Sequence, residues 1–525
     1  MKRFELDAGG ARRPLDRYWE LCVGSCHAAT ALRADYQEQL ARCQRELGFR
    51  YVRFHGLLND DMSVVLKNMV TQQLSLSFTN IDKVFDFLLS IGMRPFVELS
   101  FMPEALASGD KTLFHYKGNT TPPKDYAQWN WLVGALVEHL IARYGRGEVR
   151  QWFFEVWNEP NLGGPESPFG FWSASKEEYF KLYKATAETI KRADPFLRVG
   201  GPATSNNAWI PDFLNFCRES GAPVDFVTTH HYPTDIVVGY GVEDSANFQS
   251  PIDMSSGEKL AELFRKAKED PAFLQEKLQE YAVFQSHLWE HVDRGVLTDM
   301  DRRARAEAGD LPLYYTEWGS LAGLPSDGPF GASFIPKTIL DSMGLAQGYS
   351  FWTFSDIFEE SGQPSAAFHG GFGLLTYHGI PKAPYRAFQL LHELGGELYE
   401  ARLAQGTVDG YAVAKPEAGA VQLLLVNHHS LLHEIEAETV AVHLSGCGPC
   451  VGADIQRIDD THANALGAWQ AMGSPEYLTQ GQAAALEGAS ALVREALPFV
   501  QNEEEVVLEV VLPPMGTALV TLYFA

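Results

Sequence analysis

Cysteine is scarce in this 525-residue chain: six residues, too few and too scattered to staple a fold of this size. Cys22, Cys26, Cys43 and Cys217 stand singly and read as small buried apolar residues. Cys447 and Cys450 form "CGPC", the spacing of a thioredoxin-type redox pair. That motif must open a helix after a strand, so that the dipole lowers a thiol pKa. Here it lies between "TVAVHL" and "VGADIQRI", both strand-like, and Gly448-Pro449 is expected to be a hairpin turn. Positive charge is also short, 42 Lys and Arg against 67 Asp and Glu, or 42 − 67 = −25. Such a chain repels phosphate backbones, which argues against nucleic acid as a partner. No apolar run is long enough to cross a membrane. The start, "MKRFELDAGGARRPLDRYW", lacks an apolar stretch of signal-peptide length. The chain as printed predicts a cytoplasmic protein, or a periplasmic one if a signal peptide is removed from the natural precursor.

What is plentiful is core material: 46% hydrophobic and 12% aromatic residues, over a length that suits two or three domains. Through the first three quarters, short β-rich runs alternate with longer helical patterns. The strand candidates are 20–25, 51–58, 94–100, 151–157, 197–203, 224–232, 311–318 and 348–354. Helical patterns fall at 34–47, 79–92, 124–144, 176–193, about 260–291, 336–345 and 383–394. In "TNIDKVFDFLLSIGMRP", Thr79 or Asn80 can cap the helix, Ile81, Val84, Phe85 and Leu88 recur at helical spacing, and Gly92 follows its end. Eight β/α units predict an α/β fold, a TIM (β/α)8 barrel over 15–395. The charged stretch from about 233 to 310 is expected to add a helical excursion between strands six and seven. After about Gly396, alternating runs such as "AVQLLLVNHH" and "TALVTLYFA" predict an antiparallel β-sandwich from 396–525 together with 1–14.

In such a barrel the chemistry sits at the C-terminal ends of the strands. Those ends carry Arg53-Phe54-His55, Asn158-Glu159, His230-His231-Tyr232, Thr316-Glu317-Trp318 and "WTFSDIFEESG". Two glutamates across a barrel mouth suit glycoside hydrolysis, in which one carboxylic acid protonates the leaving oxygen and a second carboxylate works opposite it. Glu159, framed by Trp157 and Pro160, suits a desolvated acid; Glu317 suits an ionised nucleophile. His230 and His231, adjacent on a strand, point to opposite faces and make a poor metal pair. Asp60-Asp61 lacks the spacing of a calcium loop.

"WNEPNL", "YYTEWGS", "VRFHGLLNDDM", "TTHHYP", "SFWTFSDIFEE" and "LFHYKGNTTPPKDYAQW" together resemble glycoside hydrolase family 39, the β-xylosidases and α-L-iduronidases, over about 53–373. The resemblance implies that Glu159 is the general acid/base and Glu317 the nucleophile of a retaining mechanism. It implies that Asn158 binds the sugar 2-hydroxyl, that His55, His230 and Tyr232 line the glycone pocket, and that Phe114 and Trp352 wall it. Of the two glutamates in "FEE", the family pattern favours Glu359 as a hydroxyl ligand, with Glu360 the alternative. It implies no metal and no cofactor, and a small xylo-oligosaccharide as substrate. One departure is Trp318-Gly319-Ser320-Leu321, where the family's xylosidases often continue with Tyr-Asn-Thr-Ser; it bears on the aglycone side. Asn161-Leu162-Gly163 after the Asn-Glu-Pro motif, in place of an Asp-rich continuation, favours xylose over iduronate.

Overall fold

The fold is that of a computed structural model, which describes residues 2–525 apart from 166, 168, 169, 236–261, 264, 267 and 361. Among the described residues, eight parallel strands close into a barrel. They are β1 Cys22–His27, β2 Tyr51–His55, β3 Arg94–Leu99, β4 Phe153–Val156, β5 Arg198–Thr204, β6 Phe226–His231, β7 Leu313–Trp318 and β8 Gly348–Phe351. Each matches one of the expected strands, and helices wrap the outside as a TIM barrel requires.

The helices form because each has one apolar stripe to bury. Thr79–Ser90 buries Ile81, Val84, Phe85 and Leu88. Thr79 and Asn80 lie inside its first turn rather than capping it, and Asn80 donates to the Met62 carbonyl. Ser175 does cap Lys176–Ala193, accepting from the Glu178 N–H at 3.2 Å. The helix expected at 336–345 runs instead over Pro329–Asp341, with Pro336 inside it. It is buried on nearly every side, so no amphipathic period marks its start. Between β6 and β7 the helical excursion contains Pro271–His291 and Val296–Ala308; its expected beginning near 260 lies outside the described residues. No helix among the described residues is long and apolar enough to cross a membrane.

After the barrel, two sheets pack face to face around a second core that includes Phe4, Leu6, Leu423, Val442, Leu508 and Val520. Lys2–Asp7 joins the smaller sheet beside Glu438–Ser445, and Arg12–Pro14 joins the larger one beside Glu397–Gln405. The pairing is antiparallel except that Lys2–Asp7 runs parallel to Glu438–Ser445. Cys447 and Cys450 are free thiols. Gly448-Pro449 is not a hairpin turn: Glu438–Ser445 belongs to one sheet and Cys450–Ile458 to the other, so this segment crosses between layers. No helix follows it, and burial raises the Cys447 thiol pKa, the reverse of an activated thiol. Two short helices, Ala465–Ala471 and Gln480–Ala489, were not expected. They place Trp469 5.6 Å from Phe368, on the loop that follows β8.

Candidate active site

The barrel interior is layered. Its floor is aromatic: Phe96 stacks on Phe153 at 4.7 Å, with Tyr51, Phe226 and Tyr314 around them. Two residues further along the same strands, the interior turns ionic. Arg53 on β2 is fully buried and donates to Glu155 at 2.6 Å, to Glu317 at 2.9 Å and to the Asn158 side-chain oxygen at 2.7 Å. It also pairs with Glu98 at 2.9 Å. A buried charge is tolerated only when paired and hydrogen-bonded, and here one guanidinium serves three strands.

The two candidate glutamates stand directly above this layer. Trp157 and Glu159 both have positive φ, 73° and 40°, so the chain turns sharply where β4 ends. The Glu159 N–H is anchored by the Ala203 carbonyl at 2.8 Å. On β7, strict alternation would send Thr316 and Glu317 to opposite faces. The β6–β7 register instead skips at this point, pairing Thr229 with Tyr315 and His230 with Glu317. The bulge turns both Thr316 and Glu317 inward. The ligating atoms of Glu159, His230 and Glu317 all lie within 4.8 Å of one another. At that separation two ionised carboxylates would repel by about 3–4 kcal/mol at an effective dielectric of about 20, so one of them stays protonated.

Their surroundings decide which. Glu317 accepts from Arg53 and from the Tyr232 hydroxyl at 3.1 Å. Glu159 touches His230 at 3.0 Å and no guanidinium. Burial pushes Glu159 up to about 7, against the opposing pull of His55 and Arg53. Burial also raises Glu317, opposed by His230, with Glu159 adding to the rise and Arg53 and His55 countering it. Direct contact with Arg53 makes Glu317 the group that ionises first. Burial lowers His230 to about 4, so this imidazole is neutral. Burial works against a charged His55 too, but Glu98, 2.7 Å from its Nδ1, outweighs it and raises the pKa. Glu159, His230 and Glu317 would offer three ligand atoms to a cation, but Arg53 already supplies the positive charge there.

The remaining expected site residues gather at the same mouth. The Nδ2 of Asn158 is buried without a partner, a donor waiting for an acceptor. Trp352 lies 4.8 Å from the His55 ring and presses on Gly24, where an added Cβ would fall 2.4 Å from the indole. Phe114 packs 5.6 Å from Phe171, which in turn lies 5.7 Å from His55. His231 points away from the site, its Nε2 2.8 Å from the Tyr349 hydroxyl. Glu359, expected as the hydroxyl ligand, and Glu360, the alternative, have different surroundings. Glu359 is occupied by Arg33 at 3.2 Å and by Gln363 at 2.8 Å. Glu360 lies in the field of the pair: burial raises it to about 8, with Glu317 and Glu159 adding to the rise against His55.

The sequence places Arg53 at a strand end but gives it no role, and it does not mark out Glu98, Glu155 or Asp235. Asp235, half-buried and accepting from the Tyr232 N–H at 2.8 Å, is raised to about 8 by desolvation, with Glu159 and Glu317 contributing. Behind the site Lys382, fully buried, bridges Asp327 at 2.7 Å and Asp356 at 2.6 Å, tying together the loops that follow β7 and β8.

The sequence model of "Glycosyl hydrolases family 39" matches residues 2–294 and 290–504. A β-xylosidase of Caldicellulosiruptor saccharolyticus is 46% identical over 99% of this chain and 98% of its own length. A β-xylosidase of Geobacillus stearothermophilus is 35% identical over 91% of this chain and 87% of its own. The solved structure of a family 39 β-xylosidase from Caulobacter crescentus superposes with a TM-score of 0.77 at 33% identity, covering 100% of both chains.

Proposed function

The chain belongs to glycosyl hydrolases family 39 and is a glycoside hydrolase, and from that premise we propose that it is a retaining β-xylosidase releasing terminal β-D-xylose from short xylo-oligosaccharides. The observation that carries the reading is the unequal pair: two buried glutamates within 4.8 Å, one on a guanidinium and the other on a neutral imidazole. Carboxyl groups about 5–5.5 Å apart leave no room for water between nucleophile and sugar, which is the arrangement of retaining enzymes.

In the first step a Glu317 oxygen bonds to the anomeric carbon while the bond to the leaving oxygen breaks, and Glu159 gives that oxygen its proton. In the second, Glu159 takes a proton from water, the water oxygen bonds to the anomeric carbon, and Glu317 departs as carboxylate. Arg53 and Tyr232 hold Glu317 as an anion before the first step and again after the second. The free Asn158 Nδ2 fits the 2-hydroxyl oxygen, and Glu360 and Asp235 fit hydroxyl donors of the sugar. His55, Phe114 and Trp352 supply the pocket wall.

The charge around the pocket supports a neutral sugar over a uronate. Arg53 is taken by three carboxylates and Arg33 by Asp35 and Glu359, while Glu360 and Asp235 face the same space. Neither guanidinium is left over to pair with a uronate carboxylate. Chromogenic β-D-xyloside and α-L-iduronide, assayed side by side, test this: turnover of the first and none of the second is expected. Turnover of the iduronide alone would assign the rival activity, and silence on both would leave a sugar-binding protein.

Two ionisations then shape the pH profile. Glu317 must be ionised, so activity falls as pH drops through its raised pKa. Glu159 must be protonated, so activity falls as pH rises through about 7. A plot of kcat/KM against pH on xylobiose should be bell-shaped with its alkaline limb near 7; a limb near 9 or above would assign the acid to another group.

A further inference from the structure

His230 has two ring nitrogens with different partners, and the partners determine which one carries the proton. Nε2 lies 3.0 Å from the Thr316 hydroxyl oxygen. That hydroxyl donates to Glu155 Oε1 at 2.9 Å, and the other oxygen of Glu155 is held by Arg53. An ion-paired carboxylate only accepts, and a hydroxyl has a single proton to give. With that proton committed to Glu155, the Thr316 oxygen can only accept from Nε2, so Nε2 carries the hydrogen. In a neutral imidazole Nδ1 is then bare. Nδ1 sits 3.0 Å from Glu159 Oε1 and 3.5 Å from Glu317 Oε2. A lone pair against a carboxylate oxygen is a bond only if the oxygen brings the proton.

We propose that Thr316 and Glu155 are positioning residues that lock His230 as its Nε2–H tautomer, so that its bare Nδ1 accepts a hydrogen bond from Glu159 and keeps that glutamate in its acid form. The inference rests on the reading of Glu159 as the acid and adds the reason it waits protonated. The opposite tautomer would turn the Thr316 proton toward Nε2 and strip the fully buried Glu155 of a donor. Nδ1–H would then stabilise Glu159 as an anion. The other charged and titratable groups facing His230 and Glu159 are Arg53 and His55 from β2, Glu98 from β3, Glu155 from β4 and Glu317 from β7, with Tyr232, Asp235 and Glu360 from the loops. All remain in place when only the Thr316 hydroxyl is removed.

The test is Thr316→Val against Thr316→Ser. The valine variant frees His230 to donate from Nδ1. The alkaline limb of kcat/KM on xylobiose should fall by about one pH unit, the scale of one hydrogen bond to the charged form. Serine keeps the hydroxyl and should restore the wild-type limb. An aryl xyloside with a good leaving group needs no proton and should lose far less activity than xylobiose. Equal losses on both substrates with the limb unmoved would reduce Thr316 to a packing role and overturn the proposal. A second measurement does not depend on activity: ¹⁵N spectra of the histidine-labelled wild-type enzyme, with His230 assigned by its absence in His230→Asn. A pyridine-type Nδ1 and a pyrrole-type Nε2 are expected; the reverse would overturn the proposal even if every variant folds. Failure of the underlying reading is separable, because it would leave the alkaline limb intact in Glu159→Ala.

Discussion

Glu317→Ala should lower kcat/KM on any β-xyloside by on the order of 10⁶-fold, the scale on which loss of a covalent nucleophile is felt in other enzymes. The structure gives Glu317 no understudy. Glu155 and Glu98 lie in the buried layer below, each bonded to Arg53, and neither is released by the substitution. Glu159, in the proposed mechanism, works from the other side of the scissile bond. The fold should survive, because Arg53 keeps Glu155 at 2.6 Å and Glu98 at 2.9 Å, so a melting temperature near wild type is the control. Added azide fits the vacated volume and should attack from the nucleophile's side, giving an α-xylosyl azide from an activated β-xyloside. An alanine variant with wild-type turnover would remove Glu317 from the mechanism.

Glu159→Ala should divide substrates by leaving group. Xylobiose needs its departing oxygen protonated and should lose on order of 10³- to 10⁴-fold in kcat/KM, the upper range of general acid catalysis. A dinitrophenyl xyloside leaves as a stable anion, so its kcat/KM should stay within about tenfold of wild type. Its kcat should collapse, because no base activates the water of the second step, and a burst of phenolate should precede slow turnover. Azide should then enter on the acid's side and give the β-xylosyl azide. The alkaline limb should vanish with the carboxyl that sets it near 7. Equal losses on both substrates would argue against Glu159 as the acid.

Much of this architecture is legible in the sequence because barrel strands are short, apolar and separated by periodic helices. Glu159 and Glu317 announce themselves as carboxylates where such strands stop. The side-chain environment was harder to read. Arg53, Glu98 and Glu155 each sit alone inside an apolar strand, "YVRFH", "RPFVELS" and "QWFFEVW". That isolation was the available signal for a buried ionic layer, since a lone charge inside a strand must find partners. Thr316 and Glu317 share the interior only through a register skip that alternation does not predict. Glu359 and Glu360 are neighbours in sequence, and only the position of Arg33 separates them.

Other features are legible in local signals. Ile210–Ser220 carries Pro211 in its first turn, Ile210, Phe213 and Cys217 buried, and Gly221 at its end. Thr479 and Gln482 form a capping box at the start of Gln480–Ala489, a spacing readable from "TQGQ". The parallel pairing of Lys2–Asp7 left no such mark, because a strand's neighbour far along the chain is set by tertiary packing.

The central claim is that Glu317 attacks the sugar. It is met most directly by inactivating the enzyme with 2-deoxy-2-fluoro-β-xylosyl fluoride and mapping the labelled peptide. The fluorine at C2 slows both steps, and the reactive leaving group lets the covalent species accumulate. One fluoroxylosyl group per chain is expected, attached to Glu317 in the peptide containing "YYTEWGS". A label on Glu159, on Glu360 or on no residue of an inactivated enzyme would contradict the account.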